Sequence, residues 1–70
     1  MTRTFQTRDS RFVARLIMLA HRFGCDYTEL SVTSANAVYD VTITFIGADV
    51  QLRRVDAQID KLLEYEKEIA

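Results

Sequence analysis

The run Val38-Tyr39-Asp40-Val41-Thr42-Ile43-Thr44-Phe45-Ile46-Gly47 alternates in character. Tyr39, Val41, Ile43 and Phe45 fall two apart, with Asp40, Thr42 and Thr44 between them. Successive side chains of a strand point to opposite faces, so this spacing sets an apolar face toward a core and a polar face toward water. β-branched and aromatic residues, which suit a pleated and half-buried surface, dominate the run. A lone strand cannot cover its own apolar face. The segments on either side must do so, and we take this strand as central with two helices on its odd-numbered face.

Working back toward the N-terminus, residues 34–37 (Ser-Ala-Asn-Ala) read as a short turn in which Asn36 tolerates positive φ. Before it, residues 25–33 read as a strand, with Leu30 and Val32 alternating with Glu29, Ser31 and Thr33. Gly24 precedes that strand and suits the left-handed position that ends a helix. The helix itself carries Phe12, Val13, Leu16, Leu19, Ala20 and Phe23, an amphipathic stripe about 120° wide. Asp9-Ser10 offers its N-terminal cap. Residues 2–7 read as a first strand in which only Phe5 is large and apolar.

Working forward, Asp49 is placed to cap a second helix, whose stripe is Leu52, Val55, Ile59, Leu62 and Leu63. Tyr65, Lys67 and Ile69 then alternate with Glu64, Glu66 and Glu68, so residues 64–69 read as a last strand, wet on one face. The order predicted is β-α-β-β-α-β, an α+β, ferredoxin-like plan over residues 1–70. It implies a four-stranded antiparallel sheet with strands one and three in the centre and both helices on one face.

Size and charge bound the function. A chain of 70 residues buries only about 60% of its extended surface, so its core is marginal and gains from a partner subunit. The single cysteine, Cys25, cannot form an internal disulfide and lacks companions for zinc. A net charge of −1 gives no reason to invoke nucleic acid or an anionic membrane. No run is long and apolar enough to span a bilayer, and no apolar leader follows the N-terminus, so a cytoplasmic protein is expected.

Little of the chain looks catalytic. His21, the only histidine, has no Ser, Cys or carboxylate at helical neighbour spacing and reads as a surface residue. Cys25 follows a helix C-terminus, which disfavours a thiolate, and reads as a small, partly buried residue. Asp56, Asp60 and Glu64 recur every four residues and read as a solvated helix face, without the loop carbonyls a calcium site requires. The aromatics Tyr39 and Phe45 share the core face, leaving no stacking platform for RNA. No catalytic residue, metal ligand or cofactor site is expected.

Three stretches together resemble the ACT-domain regulatory small subunit of acetolactate synthase, an enzyme of branched-chain amino-acid biosynthesis. Residues 15–32 (R-L-I-M-L-A-H-R-F-G-C-D-Y-T-E-L-S-V) are similar to that family's helix, glycine and second strand. Residues 41–47 (V-T-I-T-F-I-G) are similar to its third strand. Residues 52–65 (L-R-R-V-D-A-Q-I-D-K-L-L-E-Y) resemble its L-E-Q…Q-L-N-K-L-x-D-V segment, with Gln58, Lys61 and Leu62 in matching places.

The resemblance implies a non-catalytic, cytoplasmic activating subunit. It would pair with a second copy through the second strand and first helix, at Tyr27, Thr28, Glu29 and Ser31, and dock on a thiamine-diphosphate-dependent large subunit that holds the cofactors. It also implies effector-binding positions at Arg8, Asp9, Ser10, Arg11 and Asp26. Where the family's loop carries N-x-x-G, this chain has Arg8 and Arg11, and Asp26 replaces a second Asn. A side chain at the glycine place obstructs backbone approach, which points to the short, valine-insensitive type. The alternative is a free-standing sensor that binds an amino acid through Arg8, Ser10 and Arg11 and acts on another enzyme.

Overall fold

The computed structural model describes residues 1–69, with side chains through Glu66. In chain order it contains β1 (Thr2–Thr7), α1 (Phe12–Arg22), β2 (Asp26–Ala35), β3 (Val38–Ile46) and α2 (Asp49–Ile69). The strands form one antiparallel sheet in the order β1-β3-β2. The alternating run is therefore the central strand.

Val41, Ile43 and Phe45 of β3 are wholly buried, in one core with Phe12, Leu16 and Ala20 of α1 and Val55 and Ile59 of α2. Both helices thus lie on the odd-numbered face. Phe5 adds an aromatic contact, its ring centroid 5.2 Å from that of Phe12. The opposite face is tied by cross-strand polar pairs: Thr2 with Thr44 at 2.9 Å, Thr4 with Thr42 at 3.2 Å, and Gln6 donating to Asp40 at 2.8 Å.

The four-stranded ferredoxin-like sheet is not formed. Residues 64–69 continue α2 to Ile69, so the sheet has three strands and β1 is an edge strand instead of a central one. The physical reason is legible in the residues. No Gly or Pro interrupts residues 49–69, and Glu and Lys are good helix formers. Leu62, Glu66 and Ile69 also keep helical spacing, which competes with the alternation of period two. The expected faces of Lys67, Glu68 and Ile69 lie outside the described side chains.

Local signals account for most of the boundaries. Gly24 has φ +73°, the Gly24 N–H donates to His21 O at 3.2 Å and the Cys25 N–H to Ala20 O at 2.8 Å. Those are the paired bonds of a Schellman ending. The β2–β3 hairpin turns on Asn36 and Ala37, both at positive φ (54° and 65°), as in a type I′ turn. Two expected caps are corrected. Asp9 sits too far ahead of α1 to cap it and instead closes a turn on Arg11. Asp49 lies inside the first turn of α2, where Gln51 accepts from the Ala48 N–H at 3.3 Å.

Candidate interaction surface

Thr7 ends β1 with its side chain toward the helices, and is 2% exposed. A hydroxyl so buried must find partners. It donates to Glu66 Oε2 at 2.7 Å and accepts from the Asp9 N–H at 3.1 Å. The other oxygen of Glu66 accepts from the Arg8 N–H at 2.6 Å. The loop after β1 therefore presents two donors to a carboxylate, and the last turns of α2 supply that carboxylate.

The rest of the loop is organised by Asp9. Its Oδ1 accepts from the Arg11 N–H at 2.9 Å, and its carboxylate faces the guanidinium groups of Arg11 at 3.5 Å and Arg15 at 3.7 Å. The backbone N–H of Arg11 foremost, then the charges of Arg11 and Arg15, hold the Asp9 carboxyl below the usual carboxylate range against some desolvation. Arg8, Ser10 and Arg11 are exposed. Asp26 is exposed too, but it follows the other end of α1. Eleven residues of helix, about 16 Å at 1.5 Å per residue, separate it from the loop. Within one copy, the five effector positions do not form one site.

β2 is different in kind. It pairs with β3 alone, and all ten of its residues are exposed. A register shift between Tyr27 and Glu29 leaves Thr28 as an extra, bulged residue. The bulge puts Tyr27 opposite Phe45, on the same face as Leu30 and Val32, which pair with Ile43 and Val41. Glu29 and Ser31 lie on the other face, opposite Thr44 and Thr42. The four expected pairing positions are thus split between faces and the bulge.

The helices cover β1 and β3 but leave the apolar side chains of β2 partly exposed. Tyr27 is 43% exposed, Leu30 37% and Val32 43%. Beside them α1 presents Met18, 71% exposed, across a groove of about 280 Å³ that also touches Ile17, Cys25 and Tyr27. Edge strands are normally blunted by Lys, Pro or inward charge. β2 carries only Asp26 and Glu29 as charged residues, both toward one end, so its other end is an unblunted edge.

The remaining sequence candidates resolve simply. His21 is exposed, as its position indicates, and Cys25 is wholly buried where partial burial was expected. Asp56 and Asp60 do not form a free carboxylate row. Both bind the Arg3 guanidinium, Asp60 at 2.7 Å, and the pair, Asp60 first, raises the arginine's proton affinity. Thr7, Glu66 and Arg3 were not singled out by sequence. Their signal is charge at helical spacing facing the N-terminal strand, which is meaningful only once residues 64–69 are helical. Among the described residues no group of His, Cys, Asp or Glu is arranged to hold a metal ion.

No known family, curated protein or solved structure matches the chain in comparison. Among the described residues, no helix is long and apolar enough to cross a membrane.

Proposed function

We propose that this chain is a non-catalytic regulatory subunit that pairs with a second copy through β2 and activates a catalytic partner. The observation that carries the reading is the bare β2 edge with Tyr27, Leu30 and Val32 exposed beside Met18. Edge-to-edge pairing of two β2 strands satisfies the free backbone groups and removes those side chains from water. The sequence resemblance supplies the partner: the thiamine-diphosphate-dependent large subunit of acetolactate synthase, in the cytoplasm. The three-stranded sheet departs from that family's plan, so the resemblance bears on function through its matching stretches alone.

Activation follows from differential binding. A subunit that docks more tightly on the active conformation of its partner shifts the population toward it, without touching the reaction. Valine insensitivity has a physical support in Glu66. The Arg8 N–H and the Thr7 hydroxyl already hold a carboxylate, and an incoming amino acid has to displace it. The same contact weighs against the free-standing amino-acid sensor.

The test is acetolactate formation by the large subunit from the same organism, with and without this protein and with and without valine. Stimulation that valine leaves unchanged is expected. No stimulation at saturating protein overturns the proposal, and stimulation reversed by valine overturns the role given to Glu66.

A further inference from the structure

α1 and α2 do not close against each other along their whole length. A groove of about 630 Å³ lies between them, lined by Arg15, Met18, Leu19, Arg22, Gln58 and Leu62. Its floor is apolar, with Leu19 and Leu62 half-buried. Met18, at its rim, is flexible and adapts to varied partners. Among the described residues no acidic side chain lines it.

Helical spacing shows that the basic character is not accidental to two residues. At 100° per residue, Arg11, Arg15 and Arg22 share the flank of α1 that carries Leu19. On α2, Arg54 and Lys61 share the flank that carries Gln58 and Tyr65. The acids of α2 that face the sheet side, Asp56 and Asp60, lie on the opposite flank and are held by Arg3. Among the described ion pairs only Asp9 meets a cation of the groove, Arg15, and it is shared with Arg11 beyond the groove's end.

We infer that this groove is a docking site for an acidic amphipathic helix of a partner protein. A helix laid between two others buries apolar anchors at i, i+3 or i+4 and i+7, and the floor offers leucines and a methionine for them. Flanking Asp or Glu side chains meet Arg15 and Arg22 of the lining, with Lys61 beside it on the α2 flank, and guanidinium groups bind carboxylates in paired hydrogen bonds. The length of α1, about 16 Å, accommodates about three turns of such a helix. Met18 and His21 line both this groove and the one beside β2, whereas Arg15, Leu19, Arg22, Gln58 and Leu62 line this one alone. The inference does not depend on which enzyme is the partner.

The experiment is titration of the full chain with a synthetic helical peptide bearing Leu at i, i+3 and i+7 and Glu on both flanks. A second peptide replaces every Glu with Lys, and vesicles of phosphatidylserine and phosphatidylcholine are run in parallel. The acidic peptide is expected to bind in the micromolar range and to shift the amide resonances of Leu19, Arg22 and Leu62. Arg22→Glu and Lys61→Glu, both at exposed positions, are each expected to weaken binding about tenfold with unchanged helicity. Equal binding of both peptides, shifts confined to β2, or no binding at about 1 mM peptide overturns the inference. Binding to the anionic vesicles without binding to the acidic peptide also overturns it, in favour of a lipid surface.

Discussion

The hydroxyl of Thr7 donates 2.7 Å to the carboxylate of Glu66, across 59 positions of sequence, and this bond fastens the end of α2 to the end of β1. The same carboxylate takes the Arg8 N–H, so the loop that leads into α1 is shaped by the chain's other extremity. Glu66→Ala leaves a buried hydroxyl without its acceptor and is expected to cost about 1–3 kcal/mol. Thr7→Val removes the donor. In a urea-denaturation cycle the double variant should be more stable than the sum of the singles predicts, by about 1 kcal/mol. Additive losses would show that the two groups do not interact.

Ala37 is the strained partner in the β2–β3 turn. It holds φ 65° with a Cβ that glycine lacks, and the type I′ turn favours Asn-Gly over Asn-Ala. Ala37→Gly relieves that conflict, partly offset by the greater freedom of glycine in the unfolded chain. We expect a net gain of about 0.5–1 kcal/mol in thermal or urea unfolding. A loss of stability would place the turn in another geometry.

Gly47 is needed for space. A Cβ built there would lie 3.0 Å from Cys25 Sγ and 3.5 Å from Cys25 Cα, and Cys25 is buried beneath it. Gly47→Ala should therefore cost about 1–2 kcal/mol through overpacking. Cys25→Ala should cost stability on its own, yet it should recover part of the loss when combined with Gly47→Ala. If the penalty is the same in both backgrounds, the clash is not with the sulfur.

How far the sequence could be read depends on which forces acted locally. β3 was legible because its alternation and its β-branched content agree. Gly24 was legible because a helix ending has a short-range chemistry. Residues 64–69 were misread because Glu64, Glu66 and Glu68 satisfy an alternation, while the unbroken helix-forming run from Asp49 satisfies a helix equally well. α2 runs unbroken to Ile69, so the helix wins the competition, and Glu66 then finds Thr7. The bulge at Thr28 left no mark in composition, since Tyr27, Thr28 and Glu29 all suit a strand. Hence the side to which Tyr27 points was not readable, and neither was the split of the expected pairing positions.

Asp9 gives the chain an acid-sensitive corner. Its carboxyl is held below the usual range in the folded state, chiefly by the Arg11 N–H. A depressed value means that the folded state favours the ionised form, so the stabilisation is present above the unfolded-state pKa and is lost as pH falls through the lower folded one. Below about pH 4 the amides of Arg11 and Phe12 should exchange faster with solvent while those of β3 stay protected. In Asp9→Asn this acid-dependent change should disappear. Its persistence would assign the effect to another carboxylate.

The β2 edge is the proposed interface between two copies. Sedimentation equilibrium of the intact protein, beside Leu30→Lys and Val32→Lys, addresses it directly. The wild type is expected to weigh as a dimer at about 10 μM, and each lysine variant as a folded monomer with the same helical content. A wild type that stays monomeric at about 100 μM, or lysine variants that dimerise as well as it does, would contradict the claim.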